Sequence, residues 1–536
     1  MADAPPPEAP SKNALKKAAK EAEKARKKAE QAEQREKELE LRQKQDQASD
    51  FATSNYGEQP WTNVAGAAVA EWIQLADVGK WEDKECIFRG ALENSRIQSA
   101  KLAFLAVGQG LDSIQLVVAE DGTNVSRQMV KFAGDIPSES LCVVHGIVKR
   151  TAEKIKSATI QDFEISVRKV YVVSKAHTPL PLQPADSEGA LPSETEKEDV
   201  TNPLVSLNTR LNNRVLDLRA KINHSIFILK DGVDALFQEF LRPRGFMKIH
   251  TPKILGAPSE GGGNVFRLDY FERSCFLAQS PQLYKQMAIQ GRFPRVMEVG
   301  PVFRAEKSNT ARHLTEFTGL DLEMEIQNNY HEVVDMLESL MLFIFRGLEE
   351  RYSKETELIG KVYPVQPFKL PENIPRLQFQ EGIAMLREAG EELGDYDDLT
   401  TPQEKKLGKL VLEKYGSDFY TLDQFPQALR PFYTMPTSTD KDNQSSNSFD
   451  MFMRGQEICS GAQRVHTYEL LVERIQALGM NPQQDGLKDY VNGFKYGCAP
   501  HGGGGFGLER IVQFYLGLPN IRLASLFPRD PTRVLP

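Results

Sequence analysis

Between Lys84 and Ala176 polar and apolar residues alternate in five short segments, and this pattern constrains the fold more than any other feature of the chain. The segments read KECIFRGALENSRI, LAFLAVGQ, SIQLVVAED, SLCVVHGIVKR and FEISVRKVYVVSKA, with a helical interruption near Ser126–Ala133. Five strands in about 90 residues are typical of a small closed barrel of the OB type, a fold that often binds oligonucleotides. Phe104 can stack on a base of such a ligand or lie in the barrel core.

A second architecture follows the stretch AHTPLPLQPADSEGALPSETEKEDVTNP, whose proline, serine and acidic residues are typical of a linker. A long helical stretch is predicted from about Thr209 to Leu241. Pro252 can then close a strand, because proline cannot donate to a central ladder. Hairpin-like strands and long helices are interspersed without a βαβ rhythm to the C-terminus. This layout predicts an α+β domain on a mainly antiparallel sheet flanked by helices.

The N-terminal region is locally basic, although the whole chain has a formal net charge of −8. Residues 11–28, SKNALKKAAKEAEKARKK, carry eight lysines and arginines against two glutamates. No glycine or proline interrupts residues 11–50, and alanine, lysine and glutamate favour a helix. The region is either a solvated, partly disordered tail or an arm that binds phosphates.

The chain contains no apolar run close to the roughly 20 residues that span a bilayer, and its N-terminus lacks a secretory signal. Its cysteines are widely scattered and form no CxxC pair, so neither a zinc site nor a disulfide framework is predicted. These cysteines are Cys86, Cys142, Cys275, Cys459 and Cys498. We therefore expect a cytoplasmic protein without membrane association.

The stretch FRAEKSNTARHLTEFTG, residues 303–319, predicts two strands joined by a polar loop that carries Lys307, Arg312 and His313. By alternation, Arg304 and Phe317 belong to the polar faces of these strands and can share one surface. A fixed cation beside a ring that stacks on a planar base would suit ATP. A surface hairpin with solvated charges is the alternative interpretation.

The run APHGGGGFGLERIVQFYLGL, residues 499–518, places consecutive glycines before a helical pattern that contains Arg510. A phosphate could approach a glycine backbone at the start of a helix. The spacing of Gly502, Gly504 and Gly507 fits GxGxxG, but no βαβ unit follows, so a Rossmann site is not predicted. Glycines that allow close packing of a helix on a sheet are the alternative.

The stretch NSFDMFMRGQEICSGAQR predicts a hairpin that turns at residues 454–455. With a two-residue turn, Phe452 lies opposite Glu457, and Asp450 lies diagonally next to Glu457 on the same face. Two such carboxylates repel each other unless a cation lies between them, and Mg²⁺ bridging to nucleotide phosphates is the usual solution. The alternative interpretation is that these are two exposed acids near a turn. Alternation does not settle on which face of the hairpin Arg464 lies.

These stretches together resemble a known family. FRAE…RHLTEF, the GLER helix, and the helix and strand that end at Pro252 resemble motifs 2, 3 and 1 of the class II aminoacyl-tRNA synthetases. PSEGGGNVF, QSPQLYKQM, GPVFRAEKSNTARHLTEFTGLDLEME, SNSFDMFMRGQEICSGAQRVH and FPRDPTRVLP resemble the cytosolic aspartyl-tRNA synthetases of eukaryotic type, in subclass IIb. The resemblance covers about residues 84–536. SKNALKK is also similar to the lysine-rich tRNA-binding extension of that family.

The resemblance implies a tRNA-binding extension over residues 1–60, an OB-fold anticodon-binding domain over 61–177, a hinge over 178–208 and a class II catalytic domain over 209–536. It implies ATP-dependent ligation of L-aspartate to tRNA(Asp) in cytoplasmic translation, through an aspartyl-adenylate, with release of AMP and pyrophosphate. Catalysis would rest on positioning and charge neutralisation rather than on a protein nucleophile. The enzyme would be a homodimer formed through motif 1, with Pro252 at the interface, and the sequence does not decide membership of a larger synthetase complex.

The resemblance also assigns residues. Arg304 and Arg510 would be catalytic, and ATP would contact Arg304, Glu306, His313, Phe317, Glu457 and Arg510. Mg²⁺ would be held by Asp450 and Glu457. Aspartate would contact Ser259, Glu260, Gln282, Lys285, Asp321 and Arg464, the anticodon would contact Arg96, Phe104, Gln115 and Glu164, and the arm would use Lys12, Lys16, Lys17 and Lys20.

Three alternatives stay open at this point. An asparaginyl- or lysyl-tRNA synthetase would share the barrel and the motifs, although a lysine pocket would want acids where this chain has Lys285 and Arg464. A catalytically dead nucleic-acid-binding relative should have lost Arg304, Arg510 or the acid pair, all of which are present. An ATP-dependent amidating enzyme with the same catalytic fold would not need the barrel.

Overall fold

The computed structural model describes residues 50–59, 72–191, 205–258, 264–438 and 444–536. The chain forms two compact units that divide between Leu180 and Pro181. Among the described residues, no helix is both long enough and apolar enough to cross a membrane. Six of the predicted site residues lie outside the described residues, namely Lys12, Lys16, Lys17, Lys20, Ser259 and Glu260.

The first unit is a closed barrel. Its strands are β1 Tyr56–Glu58, β2 Glu85–Ser99, β3 Leu102–Gln109, β4 Asp112–Ala119, β5 Leu141–Arg150 and β6 Phe163–Ser174, and its helix is α1 Arg127–Gly134. The strand order is β1-β6-β4-β3-β2-β5, and β5 also pairs with β6 to close the ring. The predicted five strands and helix are confirmed, and Ser126 caps α1 by accepting a hydrogen bond from the Met129 amide at 3.2 Å.

The barrel begins earlier in the chain than the expected boundary at residue 61. Strand β1 pairs in parallel with β6, with Tyr56 opposite Val170. Ala52 is buried in the barrel core, and Tyr56 packs against that core. Residues 50–58 were expected to belong to the N-terminal extension, but Ala52 and Tyr56 pack into the barrel, whereas Phe51 stays 50% exposed.

The second unit contains the remaining elements. Its strands are β7 Met247–Lys248, β8 Ile254–Leu255, β9 Arg267–Tyr270, β10 Arg273–Leu277, β11 Arg295–Phe303, β12 Glu316–Glu325, β13 Arg376–Gln378, β14 Phe419–Asp423, β15 Ser448–Met453, β16 Gln456–Gln463 and β17 His501–Gly507. Its helices are α2 Leu207–Asn212, α3 Arg214–Asp217, α4 Lys221–Leu241, α5 Gln282–Gln290, α6 His331–Arg351, α7 Ser353–Gly360, α8 Phe379–Glu388, α9 Thr401–Tyr415, α10 Tyr468–Ala477, α11 Lys488–Gly493 and α12 Leu508–Leu516.

An eight-stranded sheet organises this unit, in the order β13-β14-β15-β16-β17-β12-β11-β7. Only the terminal pairs β13–β14 and β11–β7 are parallel among the described strands, so the predicted antiparallel character is confirmed. Helices α4, α6 and α12 share one apolar core with the strands, which includes Leu229, Leu337 and Ile511. That core covers one face of the sheet and leaves the polar side chains of β12 and β16 to build a site on the other.

The helical stretch predicted from about Thr209 to Leu241 is present, and it is divided into the three helices α2, α3 and α4. A buried polar cluster interrupts it: Asp217 accepts a bond from Arg210 at 2.8 Å and is ion-paired with Arg214. Asn223 donates to the Asp217 carboxylate at 2.9 Å. In a continuous helix Arg210, Arg214 and Asp217 would share one face and Asn223 would lie on another, whereas the breaks at Asn213 and Ala220 bring Asn223 into the same cluster.

The glycine run is a central strand and not a phosphate-binding loop. Strand β17 pairs with β12 on one side and β16 on the other, so both of its edges are engaged in the ladder. A Cβ at Gly503 would lie 2.1 Å from the Leu322 carbonyl oxygen and 2.3 Å from Glu323 Oε2. Close packing therefore explains the glycines: Gly503 packs against strand β12, and Gly504 packs against Cys459 of β16 and Leu337 of helix α6, each 3.0 Å from its Cβ position.

Candidate active site

One cavity of about 320 Å³ lies on the polar face of the large sheet. It is lined by β12, β16, β17, the first turns of α5 and α12, and the loop that joins β11 to β12. Ten predicted site residues meet there: Gln282, Lys285, Arg304, Glu306, His313, Phe317, Asp321, Glu457, Arg464 and Arg510. Segments far apart in the sequence thus converge on a single chamber.

Arg304 and Phe317 share one surface of the cavity, as alternation predicts. The guanidinium carbon of Arg304 lies 5.5 Å from the centre of the Phe317 ring. The Arg304 amide donates to the Thr315 carbonyl at 2.9 Å, which extends the ladder past the end of β11. A planar base and a phosphate can therefore be held side by side at this end of the cavity.

His313 is a neutral group in this site. Burial and the neighbouring Arg510 lower the pKa of His313 below its ordinary value. Its Nδ1 atom lies 2.6 Å from Thr310 Oγ1 and 3.3 Å from Ser308 Oγ. The sequence suggested a cationic hairpin, but burial and Arg510 favour the neutral form of this imidazole.

Arg312 connects the loop between β11 and β12 to helix α9 by hydrogen bonds. Its Nη1 atom donates to Glu404 Oε2 at 3.3 Å, and its Nη2 atom donates to the hydroxyl of Thr401. Burial and the nearby Glu457 raise the pKa of Glu404, and Arg312 opposes this shift. The arginine stood out in the sequence for its charge, and its structural partners lie about ninety residues further along the chain.

The opposite end of the cavity holds two cations and two acids. Lys285 Nζ lies 3.1 Å from Asp321 Oδ1 and 3.4 Å from Glu323 Oε2. Arg464 donates to Glu323 from Nε at 2.9 Å and from Nη2 at 3.3 Å. Burial opposes ionisation of Glu323, but Arg464 and Lys285 overcome it and hold the pKa of this carboxyl below its ordinary value.

In this cluster Asp321 and Glu323 balance the charges of Lys285 and Arg464. Glu323 was not predicted as a site residue, although it shares the alternation of Asp321 on β12. Arg464 follows the last residue of β16, where strict alternation no longer applies, and its side chain lines the cavity.

Glycines make room for both acids. A Cβ at Gly505 would lie 2.7 Å from Asp321 Oδ1, and a Cβ at Gly319 would lie 2.9 Å from Asp321 Oδ2. Gly503 provides the space for Glu323, as described above. The glycine-rich sequence of β17 therefore serves the charge cluster directly.

The predicted turn of the β15–β16 hairpin and the pairing of Phe452 with Glu457 are confirmed. A bulge next to this pair then adds one residue to β16, so Asp450 lies opposite Ser460 instead of diagonally next to Glu457. Ile458 and Cys459 lie in the apolar core, while Glu457 and Ser460 line the cavity. The bulge therefore keeps both polar residues of β16 on the cavity face.

Asp450 and Glu457 are the two carboxylates that the resemblance assigns to Mg²⁺; Glu457 lines the cavity, and Asp450 is buried beside it, opposite Ser460. Burial and the neighbouring Glu457 raise the pKa of Asp450 to about 6, although Arg430 opposes the shift. Asp450 Oδ1 is buried and has no well-aligned donor among the described residues. The described residues contain no group of three or more metal-binding side chains, so these two carboxylates would share Mg²⁺ with phosphate and water oxygens.

Arg430 is a cavity residue that the sequence analysis missed. Its Nη2 atom lies 2.9 Å from Asp450 Oδ2, and its guanidinium carbon lies 4.0 Å from the centre of the Phe425 ring. The residue follows a short 3-10 turn, Gln427–Leu429, where no strand or helix periodicity applies. Only the tertiary fold brings it to Asp450.

The four anticodon candidates lie together on the barrel. Arg96 is opposite Phe104 in the β2–β3 pair, with its guanidinium carbon 5.5 Å from the ring centre. Gln115 donates to Glu164 at 3.0 Å. Phe104 is half-buried and is not part of the buried barrel core, which favours the stacking interpretation over the core interpretation.

Comparisons with known proteins agree with this geometry. Residues 206–531 match the family model described as tRNA synthetases class II (D, K and N). The chain is 46% identical over 491 residues to the cytoplasmic aspartate–tRNA ligase of Homo sapiens, and the aligned region covers 92% of this chain and 96% of that protein. It is 44% identical over 542 residues to the Caenorhabditis elegans protein of the same name, and this alignment covers 100% of both chains.

Two solved structures show the same fold. An aspartyl-tRNA synthetase from Entamoeba histolytica has a TM-score of 0.80 at 43% identity and covers 90% of this chain and 96% of that chain. An asparaginyl-tRNA synthetase from Pyrococcus horikoshii, complexed with asparaginyl-adenylate, has a TM-score of 0.76 at 28% identity and covers 87% of this chain and 100% of that chain.

Proposed function

The chain belongs to the class II tRNA synthetases of the D, K and N group, and from this premise we propose that it ligates L-aspartate to tRNA(Asp) at the expense of ATP in the cytoplasm. The charge cluster at one end of the cavity carries the proposal, because Lys285 and Arg464 offer two donors to a side-chain carboxylate. Ser259, Glu260, Gln282 and Asp321 bind the rest of the amino acid in this assignment. The nucleotide occupies the other end, beside Arg304 and Phe317.

The first reaction joins aspartate to the nucleotide. A carboxylate oxygen of aspartate attacks the α-phosphorus, the bond from this phosphorus to the bridging oxygen breaks, and pyrophosphate leaves. Arg304 holds the α-phosphate, and Arg510 and His313 hold the outer phosphates, so that charge developing on the phosphoryl oxygens meets fixed donors. Phe317 stacks on adenine, and Glu306 accepts a hydrogen bond from its amino group.

The second reaction transfers aspartate to RNA. A ribose hydroxyl at the end of tRNA attacks the carbonyl carbon of the adenylate, and AMP leaves. When bound by Asp450 and Glu457, Mg²⁺ neutralises phosphate charge during the first reaction. The protein contributes mainly orientation, which can supply several kcal/mol of the barrier without a covalent intermediate.

The barrel binds the anticodon in this proposal. Phe104 stacks on one base, supported by Arg96, and Gln115 and Glu164 offer donors and acceptors to base edges. The lysines of the N-terminal extension add phosphate contacts that do not depend on the base sequence. Together they select and hold tRNA, while the second unit performs the chemistry.

A homodimer formed through the β7 edge of the large sheet completes the assignment. Pro252 is exposed beside this edge, and Met247 and Ile254 expose 45% and 46% of their surface. Phe271, at the tip of the β9–β10 hairpin, is 90% exposed. Exposed apolar side chains such as Met247, on the edge strand itself, are suited to burial by a second copy.

Asparagine is the competing substrate, because the asparaginyl-tRNA synthetase from P. horikoshii shares the fold. ATP–pyrophosphate exchange should be measured with aspartate, asparagine and lysine in parallel, followed by charging of tRNA(Asp). We expect exchange with aspartate alone. Exchange with asparagine at a similar rate would refute the aspartyl assignment, and absence of exchange with all three amino acids would refute the proposed activity.

A further inference from the structure

Asp450 is bound by a cation of the same chain. Arg430 Nη2 lies 2.9 Å from Asp450 Oδ2, and the two side chains are only 11% and 7% exposed. The guanidinium is fixed by Ser448 Oγ, which accepts from Nε at 3.0 Å, and by Ser460 Oγ, which accepts from Nη1 at 3.0 Å. Arg430 is therefore held against one of the two carboxylates assigned to the metal.

The surrounding charges explain why this contact matters. Asp450 and Glu457 repel each other electrostatically, and so do Glu404 and Glu457. Arg510 is attracted electrostatically to Glu457 but donates its hydrogen bond to the Glu457 backbone carbonyl, at 3.2 Å. Without Arg430, Asp450 would be a buried acid repelled by a second acid, an arrangement that attracts a divalent cation strongly.

We propose that Arg430 is a positioning residue that keeps the affinity of Asp450 and Glu457 for a divalent cation low until ATP is bound. A guanidinium in contact with Asp450 repels an incoming dication and competes for the same oxygen. The phosphates of ATP bring enough negative charge to offset that repulsion. Metal and nucleotide consequently bind as a unit, and this inference rests on the metal assignment made in the proposed function.

Binding of Mn²⁺ measured by electron paramagnetic resonance tests the proposal without catalysis. The full chain and its Arg430→Met variant should be titrated at pH 8, where Asp450 is ionised, with and without an ATP analogue whose α–β bridge is a methylene group. Without nucleotide, Arg430→Met should bind Mn²⁺ roughly tenfold tighter than the unmodified chain, because a cation next to the site has been removed. With the analogue, the difference should shrink to about threefold or less, because phosphate charge then offsets the guanidinium.

Two further variants control the comparison. Arg430→Lys keeps the charge and should retain the low affinity of the unmodified chain, and Asp450→Asn in the Arg430→Met background should abolish the gain. Circular dichroism and thermal unfolding check the fold, and Arg430→Gln replaces Arg430→Met if the latter is unfolded. Unchanged or weaker Mn²⁺ binding by a folded, uncharged variant would overturn the proposal, whereas failure of aspartate exchange in the unmodified chain would count against the proposed function alone.

Discussion

Replacing Arg464 by methionine separates the structural role of the charge cluster from its role in substrate binding. Glu323 is fully buried, and Arg464 holds it with bonds of 2.9 and 3.3 Å. Without Arg464, Lys285 is the one lysine or arginine among the described residues that still pairs with Glu323, at 3.4 Å, and Asp321 shares it. Breaking a buried ion pair from one side costs about 3–5 kcal/mol, because the other charge stays buried and uncompensated. That cost is a large part of the roughly 5–15 kcal/mol that typically stabilises a protein.

The double variant Arg464→Met, Glu323→Gln restores the charge balance, since Lys285 and Asp321 still neutralise each other. It should regain about 2–4 kcal/mol of the free energy of unfolding, as is common when both partners of a buried pair are replaced. It should not regain activity, because the guanidinium that binds the aspartate carboxylate is still missing. We expect kcat/KM for aspartate to fall by about two to three orders of magnitude in the single and the double variant alike.

Urea unfolding and ATP–pyrophosphate exchange measure the two roles on the same samples. A lower urea midpoint with an unchanged slope reports the loss of stability in the single variant. Lys488→Met is the matched control, because Lys488 forms an exposed pair with Asp485 at 2.7 Å, and its urea midpoint should not change. A single variant as stable as the unmodified chain, or a double variant that recovers exchange, would refute the reasoning.

Four other outcomes are expected. Deletion of residues 1–49, which spares the first described residue of the barrel unit, should leave aspartate exchange intact. It should also flatten the slope of log tRNA affinity against log salt concentration by about 3–5. An unchanged slope would contradict phosphate binding by the N-terminal arm. Asp450→Ala or Glu457→Ala should slow adenylate formation roughly a thousandfold at ordinary Mg²⁺ in a folded protein, and near-normal exchange would contradict the metal site. Lys285→Met should cost about 3–5 kcal/mol in kcat/KM for aspartate and much less for asparagine, and retained selectivity would contradict its role. Burial lowers the pKa of His501 to about 4, so the neutral form of this histidine stabilises the fold above pH 6.5, and that contribution is lost as the pH falls towards 4. His501→Gln should therefore reduce the loss of unfolding free energy between pH 6.5 and pH 4 by about 3 kcal/mol, as measured by urea unfolding. The same dependence of unfolding free energy on pH in the variant and the unmodified chain would contradict this.

Alternation along single strands predicted much of the fold and of the site. It identified the five barrel strands, the β11–β12 hairpin and the common surface of Arg304 and Phe317, because the side-chain direction in a strand repeats every two residues. It also placed Phe452 opposite Glu457, since a two-residue turn fixes the register next to it. These features depend on residues that are close in sequence.

Contacts between distant segments were not predictable in this way. Glu323 pairs with Arg464 across 141 residues, and nothing in the local pattern of either strand specifies the other. Arg430 lies in an irregular loop, and the bulge in β16 shifts Asp450 away from its expected neighbour. The buried cluster around Asp217 breaks a segment whose local composition favours one continuous helix.

The close fit between Gly503 and Glu323 also limits how the chain can change over evolutionary time. A Cβ at position 503 collides with the Leu322 backbone oxygen as well as with Glu323, so this position stays glycine whatever residue stands at 323. A smaller residue at position 323, by contrast, leaves Arg464 without its carboxylate partner, so positions 323 and 464 depend on each other. A library that aims at a new amino-acid substrate should therefore randomise positions 323 and 464 together and keep glycine at 503.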